Sequence, residues 1–239
     1  MANKPATIVI VHGAWVGSWR WRAVADVLID RGHRVFTPTL TGLGERAHLN
    51  GPNVNLSLHA RDVANVIHFE RLENVLLVGH SYGGMPISVA AELVPDGIIQ
   101  SIMYMDAFLP ENGQCLNDLV PGPPHLPSET GDYLVPPPRA NLVGFNTHMD
   151  AAARAAYEER RVPQSVYCFT EKAQLTGARE RIARKAYVVA TGYKNDTFAP
   201  VAARLRARKD WRVEEMPYTH DLQHVAVNET ADMIETALP

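Results

Sequence analysis

A serine between two glycines is the residue of this chain best suited to covalent chemistry. Residues 79–83 read Gly-His-Ser-Tyr-Gly, which fits the pattern G-x-S-x-G around Ser81. The apolar run Val75–Val78 predicts a buried strand before it, and a helical pattern begins at Met85, with Pro86 in its first turn. A strand, a tight turn and a helix hold such a serine in a strained conformation with its hydroxyl exposed. This setting predicts that Ser81 is a nucleophile rather than part of an ordinary turn.

A nucleophilic serine needs a general base, because its hydroxyl reacts poorly at neutral pH. On a strand–turn–helix scaffold of this kind the base is expected late in the chain, after the serine and the acid. His220 lies just past the last predicted strand, where a loop could reach over Ser81, and His224 follows one helical turn later. We therefore predict that His220 is the base. His80 is adjacent to the nucleophile, but we expect its side chain to leave the turn on the other side.

Two carboxylates could orient His220, and the sequence leaves both open. Asp106 directly follows the predicted strand Ser101–Met105, so its position relative to the sheet should be well fixed. Asp196 lies in a loop several residues beyond the predicted strand Ala186–Ala190 and would need further contacts to be held in place. Placement matters because the acid fixes the imidazole tautomer and stabilises the imidazolium. We favour Asp106.

Acyl transfer also needs an oxyanion hole, which backbone N–H groups commonly supply. We predict one donor at Tyr82, directly after the nucleophile, and the second at Ala14 in the loop after the first strand. The preceding Gly13 allows that loop to approach closely. Trp15 and Phe108 are candidates for apolar walls of a substrate pocket.

The elements that would position these residues alternate between strands and helices. This alternation predicts an α/β fold with a parallel sheet covered by helices on both faces. Sites in such sheets lie at the carboxyl ends of the strands. Helices are predicted at 21–30, 57–70, 85–93, 200–208 and from 228 or 229 onward, and strands at 7–11, 34–37, 75–78, 101–105, 186–190 and 211–216.

A change of composition interrupts this alternation after Pro110. The next stretch is crowded with proline and glycine, and it is followed by a helical pattern near 150–160 and a weaker one near 171–183. We predict that residues 111–184 form an inserted cap or lid and that residues 1–110 and 185–239 form the core.

Composition and net charge argue against several classes of binding partner. The chain has 239 residues, a net charge of −3 and no basic stripe, which argues against nucleic acid as a partner. Cys115 and Cys168 suggest no disulfide framework, and no stretch resembles a signal peptide or a membrane span, so we expect a cytoplasmic protein without a membrane partner. The histidine and cysteine spacings predict no metal site, and the proposed chemistry needs no cofactor. Composition leaves open whether two copies associate as a homodimer.

Four motifs resemble a known family, the α/β-hydrolase superfamily. They are His-Gly-Ala-Trp with the later Trp (12–19), Pro-Thr-Leu-Thr-Gly-Leu-Gly-Glu-Arg (38–46), Gly-His-Ser-Tyr-Gly-Gly (79–84) and Tyr-Thr-His (218–220). They are most similar to the branch of plant methylesterases, hydroxynitrile lyases and bacterial esterases, including pyrethroid-hydrolysing ones. The resemblance implies an α/β-hydrolase fold with about six parallel strands. It also implies that Ser81 is the nucleophile, His220 the base, and Ala14 and Tyr82 the oxyanion donors.

One departure from the family concerns the acid. In the plant enzymes the acid falls just after the strand equivalent to 186–190, and the aligned position here is Tyr193 or Lys194, neither of them acidic. The bacterial relatives often read Leu-Asp-Ala-Phe at the equivalent of Asp106. This resemblance also favours Asp106 over Asp196 as the third member of the catalytic triad.

A second departure concerns the reaction. The lyases place Thr where this chain has Gly13, and Lys after the catalytic histidine, where this chain has Asp221. Both residues handle the cyanohydrin, so their absence counts against lyase activity. We predict a serine hydrolase that cleaves carboxylic esters of small to medium apolar substrates through an acyl-enzyme. The alternatives are a lactonase or a biosynthetic cyclase or lyase with the same triad, and a ligand-binding receptor on a hydrolase scaffold.

Overall fold

The computed structural model describes residues 5–138 and 149–239. Its strands within these ranges are β1 (Thr7–Val11), β2 (Arg34–Phe36), β3 (Val75–His80), β4 (Ile99–Met105), β5 (Leu134–Val135), β6 (Gln164–Ser165), β7 (Arg184–Ala190) and β8 (Arg212–Met216). Its helices there are α1 (Arg22–Asp30), α2 (Leu56–Phe69), α3 (Gly84–Leu93), α4 (Ala151–Glu159), α5 (Tyr167–Thr170), α6 (Ala178–Arg181), α7 (Ala199–Arg206), α8 (Leu222–Val225) and α9 (Val227–Glu235). Within the described ranges, no helix is both long and apolar enough to cross a membrane.

Six of these strands form one parallel sheet in the spatial order β2-β1-β3-β4-β7-β8. One buried cluster contains residues of α2, α3 and α7, and a second cluster contains residues of α1 and α9. The two clusters lie on opposite faces of the sheet, because alternate residues of one strand point to opposite faces. The predicted fold class, six parallel strands with helices on both faces, is confirmed.

The central strand β3 shows why the sheet forms. Leu77 belongs to one buried cluster, while Leu76 and Val78 belong to the other, and all three side chains are fully buried. A strand buried on both faces therefore reads as an uninterrupted apolar run. Each such side chain contributes roughly 1.5–3 kcal/mol on burial, so the strand that leads into Ser81 is firmly fixed.

The predicted helix over residues 171–183 is wrong for most of its length. Only α6 is helical there, because Gly177 ahead of it adopts a left-handed conformation with a φ of +100°. The carboxylate of Glu92, near the end of α3, accepts the backbone N–H groups of Thr176, Gly177 and Ala178. These bonds to a side chain replace the bonds that a continuous helix would make.

The segment between β4 and β7 contributes no strand to the main sheet within its described residues. Instead, β5 and β6 pair with each other as a short antiparallel ribbon, and α4 to α6 flank it. Cys168 and Phe169 of α5 are nevertheless buried in the same cluster as α2 and α3. Residues 139–148 of the predicted 111–184 insertion, and residues 1–4 of the predicted core, lie outside the described residues.

Candidate active site

The turn that carries Ser81 is so tight that the residues two positions before and after the serine must be glycine. A Cβ on Gly79 would lie 2.6 Å from Ile87 Cδ1, and one on Gly83 would lie 2.4 Å from the carbonyl oxygen of Val11. Ser81 itself has a φ of +54°, in the left-handed region that non-glycine residues rarely adopt. Such strain costs on the order of 1–3 kcal/mol, and the surrounding strand and helix sustain it.

The structure brings His220 and Asp106 into direct contact. Asp106 Oδ2 accepts a hydrogen bond from His220 Nδ1 at 2.7 Å, and both side chains are buried. Because a carboxylate can only accept, Nδ1 carries the proton, and the lone pair of a neutral ring is then on Nε2. Ser81 and His220 line the same cavity. A strained serine and a histidine oriented by a buried carboxylate thus border one cavity.

Three further donors hold the Asp106 carboxylate. Oδ1 accepts from the backbone N–H of Ala190 at 3.0 Å and from Asn195 Nδ2 at 2.7 Å, while Oδ2 also accepts from the Tyr193 hydroxyl at 2.6 Å. Burial, together with the charge of Asp106, raises the pKa of Tyr193 above its usual value, so the phenol remains a donor. Together with His220, these donors fix the carboxylate from both oxygens.

The other candidate acid points elsewhere. The Asp196 side chain is 69% exposed and pairs with Lys194 at 2.9 Å. Of the two carboxylates that the sequence left open, the structure places Asp106 against His220 and leaves Asp196 at the surface.

The predicted oxyanion residues Ala14 and Tyr82 line the same cavity as Ser81. Gly13 brings the first loop close to the nucleophile, since a Cβ at that position would lie 3.1 Å from Ser81 Cβ. The Tyr82 phenol is turned into the core, where it is 2.8 Å from His59 Nδ1. The Tyr82 side chain therefore has a structural role, and the oxyanion prediction concerns only its backbone N–H.

The His12 side chain holds the loop after β1 through two hydrogen bonds. Its Nδ1 donates to the carbonyl oxygen of Gly13 at 2.8 Å, and its Nε2 accepts the backbone N–H of Leu40 at 3.1 Å. Burial lowers the pKa of His12 to about 4, so the ring is neutral near pH 7 and can make both bonds. His12 therefore has a structural role in holding this loop.

The cavity above Ser81 encloses about 600 Å³ and is mostly apolar. Trp15 and Phe108 both line it, as predicted pocket walls should. Trp15 packs against Phe169 with ring centroids 5.7 Å apart and donates its indole N–H to the carbonyl oxygen of Val135 at 3.0 Å. Phe108 packs against Phe198 at 4.9 Å. The described part of the 111–184 segment therefore supplies part of the cavity wall.

Sequence reasoning missed the neighbours that hold the base and the acid. His80 does not point away from the site: its Nε2 donates to the carbonyl oxygen of His220 at 2.9 Å, and the two rings lie 4.5 Å apart. Burial and the nearby His220 hold the pKa of His80 well below its usual value, so this ring is neutral. Tyr193 and Asn195 carried one signal, because they follow the strand after which the plant relatives place their acid.

Comparison with known proteins assigns the family. A sequence profile of the α/β hydrolase family matches residues 8–234. The chain belongs to this family. The predicted resemblance is thereby confirmed, and the fold described above is the one expected of a member.

Individual relatives within this family include esterases. The carbendazim hydrolyzing esterase of Nocardioides sp. (strain SG-4G) is 38% identical over 243 residues, covering 96% of this chain and 98% of the relative. The putative chloroplastic methylesterase 11 of Arabidopsis thaliana is 35% identical over 118 residues, covering 46% of this chain and 28% of the relative. Among solved structures, an extracellular α/β-hydrolase from a Paenibacillus species superposes with a TM-score of 0.82 at 24% identity, covering 98% of this chain and 99% of that one. These relatives support an esterase-type hydrolase.

Proposed function

We propose that this protein is a serine carboxylesterase whose triad is Ser81, His220 and Asp106. The observation that carries the proposal is the 2.7 Å bond between His220 Nδ1 and Asp106 Oδ2, beside a cavity that Ser81 also lines. A structural histidine would not need a buried carboxylate and an adjacent strained serine at one cavity.

The reaction follows from these positions. Ser81 Oγ attacks the ester carbonyl carbon while His220 Nε2 takes the hydroxyl proton, and the N–H groups of Ala14 and Tyr82 receive the oxyanion. The carbonyl re-forms as the alcohol leaves with the proton from His220, which gives an acyl-enzyme. His220 then takes a proton from water, the resulting hydroxide attacks the acyl carbon, and Ser81 leaves with the proton as the acid is released. No cofactor takes part.

The large cavity indicates the substrate class. Its volume of about 600 Å³ and its Trp15 and Phe108 walls suit an ester with one bulky apolar or aromatic half. The relative named for carbendazim hydrolysis makes carbendazim a useful first compound, and the methylesterases suggest methyl esters. We propose that residues 111–184 form the cap that selects among such esters.

Two measurements test the proposal. Purified protein should be labelled covalently by a fluorophosphonate probe and should hydrolyse an aryl-substituted methyl ester. Ser81→Ala should lose the labelling and at least about 10⁴-fold in kcat. The matched control Ser128→Ala, at an exposed loop position, should retain both. Absence of labelling and turnover in the wild-type protein would contradict the enzyme and favour a receptor.

The same panel separates the alternatives that share the triad. Lactones and cyanohydrins should be included beside the esters. The structure pairs Asp221, where the lyases have Lys, with Arg20 at 2.9 Å, so the position carries a neutralised carboxylate instead of an ammonium. Turnover of a cyanohydrin faster than any ester would overturn the esterase assignment.

A further inference from the structure

Ser81 and His220 line a second, much smaller cavity, which we name the polar chamber. It encloses about 70 Å³, against about 600 Å³ for the apolar cavity. Four charged or amide side chains contribute to its wall: Arg20, Arg161, Asp221 and Gln223. The reacting groups thus lie between two compartments of opposite character.

Several polar atoms of these side chains have no hydrogen-bond partner in the described part of the chain. They include Arg20 Nε, Arg161 Nε and Gln223 Oε1. The Arg20 side chain is 6% exposed, the Arg161 side chain 4%, and Gln223 2%. Buried polar groups almost always have a partner, because a buried donor or acceptor without one has lost its hydrogen bonds to water and gained none in return. The polar chamber is therefore built for a polar occupant.

Charge balance decides what kind of polar occupant fits. Arg20 pairs with Asp221 at 2.9 Å, and Arg161 pairs with Glu158 at 2.9 Å. Each guanidinium is thus matched by a carboxylate, and no net positive charge is left to attract a carboxylate or phosphate from a ligand. A neutral group that can both donate and accept hydrogen bonds satisfies this wall better than an ion.

The position of the polar chamber relative to His220 decides which half of an ester it serves. Asp221 directly follows His220, Gln223 lies in α8 just after it, and His80, packed on His220, also lines the chamber. The leaving alcohol must receive a proton from His220, and the incoming water must give one to it. Both species therefore have to lie within reach of His220, and of the two cavities that His220 lines, the polar chamber is the one whose wall offers charged and amide side chains to an alcohol or a water.

We propose that the polar chamber is the alcohol subsite, selective for short alcohols that carry a neutral polar group, and that it then holds the water for deacylation. One water needs roughly 10–15 Å³ of such volume, so about 70 Å³ admits several waters or an alcohol with about four heavy atoms. The acyl half then occupies the apolar cavity. This inference rests on the proposed esterase function and adds the substrate class on its alcohol side.

Three esters of one arylacetic acid test the subsite. The propyl and 2-hydroxyethyl esters have equal numbers of heavy atoms, and only the second offers a hydroxyl to the wall. We expect the 2-hydroxyethyl ester to be favoured about fivefold or more in kcat/KM, the worth of about one net hydrogen bond. The octyl ester should fall at least about tenfold below the propyl ester, because its chain exceeds the chamber. Equal rates for all three, or a length limit on the acyl half instead, would overturn the assignment.

A variant pair ties the preference to the chamber wall. Gln223→Leu replaces the amide with an apolar side chain of similar size, and it should abolish the 2-hydroxyethyl preference, measured as the ratio of kcat/KM for the 2-hydroxyethyl ester to kcat/KM for the propyl ester. Gln174→Leu, an exposed position, is the matched control and should retain the preference. A preference unchanged in Gln223→Leu would refute the role of the wall. The comparison of esters on the wild-type protein decides the proposal even where the variant fails to fold.

The esterase function and the alcohol subsite can be refuted independently of each other. If no ester is hydrolysed and Ser81 is not labelled by the fluorophosphonate probe, the esterase function itself is overturned. If the methyl ester is hydrolysed and Ser81 is labelled, but the alcohol series shows no discrimination, only the alcohol subsite is overturned.

Discussion

Replacing Asp106 with Asn would turn one hydrogen-bond acceptor into a donor at the centre of the site. If the new NH₂ took the place of Oδ1, it would face the N–H of Ala190 and the Asn195 amide, at 3.0 and 2.7 Å. The backbone N–H of Ala190 cannot become an acceptor. If the NH₂ took the place of Oδ2, it would face the Tyr193 hydroxyl and His220 Nδ1, both of which can accept. The amide therefore adopts the second orientation.

That orientation disables the base. His220 Nδ1 must then accept, so the neutral ring carries its proton on Nε2 and cannot take one from Ser81. The negative charge that stabilises the imidazolium is lost as well. We expect kcat to fall by between about 10² and 10⁴-fold, which corresponds to roughly 3–5 kcal/mol of transition-state stabilisation. The fold should survive, because Asn tolerates the +44° φ that Asp106 adopts.

The assay compares Asp106→Asn with Asp196→Asn on one activated ester, with circular dichroism to establish folding. Asp196 is the matched control, since it undergoes the same chemical change at an exposed side chain that contacts Lys194. An exposed ion pair is worth about 0–1 kcal/mol, so Asp196→Asn should change kcat less than about twofold. Its KM should also be unchanged.

Two results would refute this reasoning. A large loss for Asp196→Asn beside near-normal activity for Asp106→Asn would mean that the acid comes from the loop after β7. Equal, moderate losses would mean that both carboxylates reach His220 during turnover, so the contact between Asp106 and His220 would not be decisive.

Three further predictions concern Tyr193, the buried histidines and the loop at residues 121–131. Tyr193→Phe removes one hydrogen-bond donor to Asp106 and should lower kcat about 3- to 30-fold with little change in KM. Steady-state kinetics on one ester measure both parameters, and an unchanged kcat would contradict the positioning role of Tyr193. Burial lowers the pKa of His12 and of His59 from 6.5 to about 4 and holds the pKa of His80 well below its usual value, so the stability present above pH 6.5 should be lost as the pH falls towards 4, at up to about 4.1 kcal/mol per pH unit in urea unfolding. His59→Gln should lower that slope by about a third, and an identical slope would contradict the assignment. Residues 121–131 are mostly exposed, and Pro121 and His125 line the large cavity. Replacing this loop with a short linker should alter selectivity across an ester panel more than the urea midpoint, and unchanged selectivity would argue against a cap.

The central strands β1 and β3 could be predicted because each contains a run of at least four apolar residues, as a strand buried on both faces requires. The ends of other strands could not be predicted as well. The sequence indicates strands from 101 and 186, whereas β4 begins at Ile99 and β7 at Arg184. Arg184 pairs with Ser101 of the neighbouring strand. Backbone pairing needs no apolar side chain, so charged and polar residues extend a strand wherever its neighbour continues.

Site residues with a local signature were accessible from the sequence, and long-range contacts were not. The Ser81 turn is a continuous pattern of strand, glycines and helix. The bond between His80 and His220 joins residues 140 positions apart. The Arg20–Asp221 pair likewise joins the two ends of the chain, and neither partner belongs to a motif. Only packing reveals such contacts, and they define the polar chamber.

The position of the proposed acid after β4 and the residues of the loop after β7 are connected, because that loop contacts Asp106. β4 and β7 are hydrogen-bonded neighbours, with Met105 opposite Val188, so their carboxyl ends lie side by side. A carboxylate after either strand therefore starts close to the same point above the sheet. In the proposed triad the acid follows β4, and the loop after β7, where the resemblance to the plant enzymes implies an acid, supplies Tyr193 and Asn195 as donors to Asp106. The proposed acid thus lies beside the end of β7 although it follows β4, and the loop after β7 supports its carboxylate.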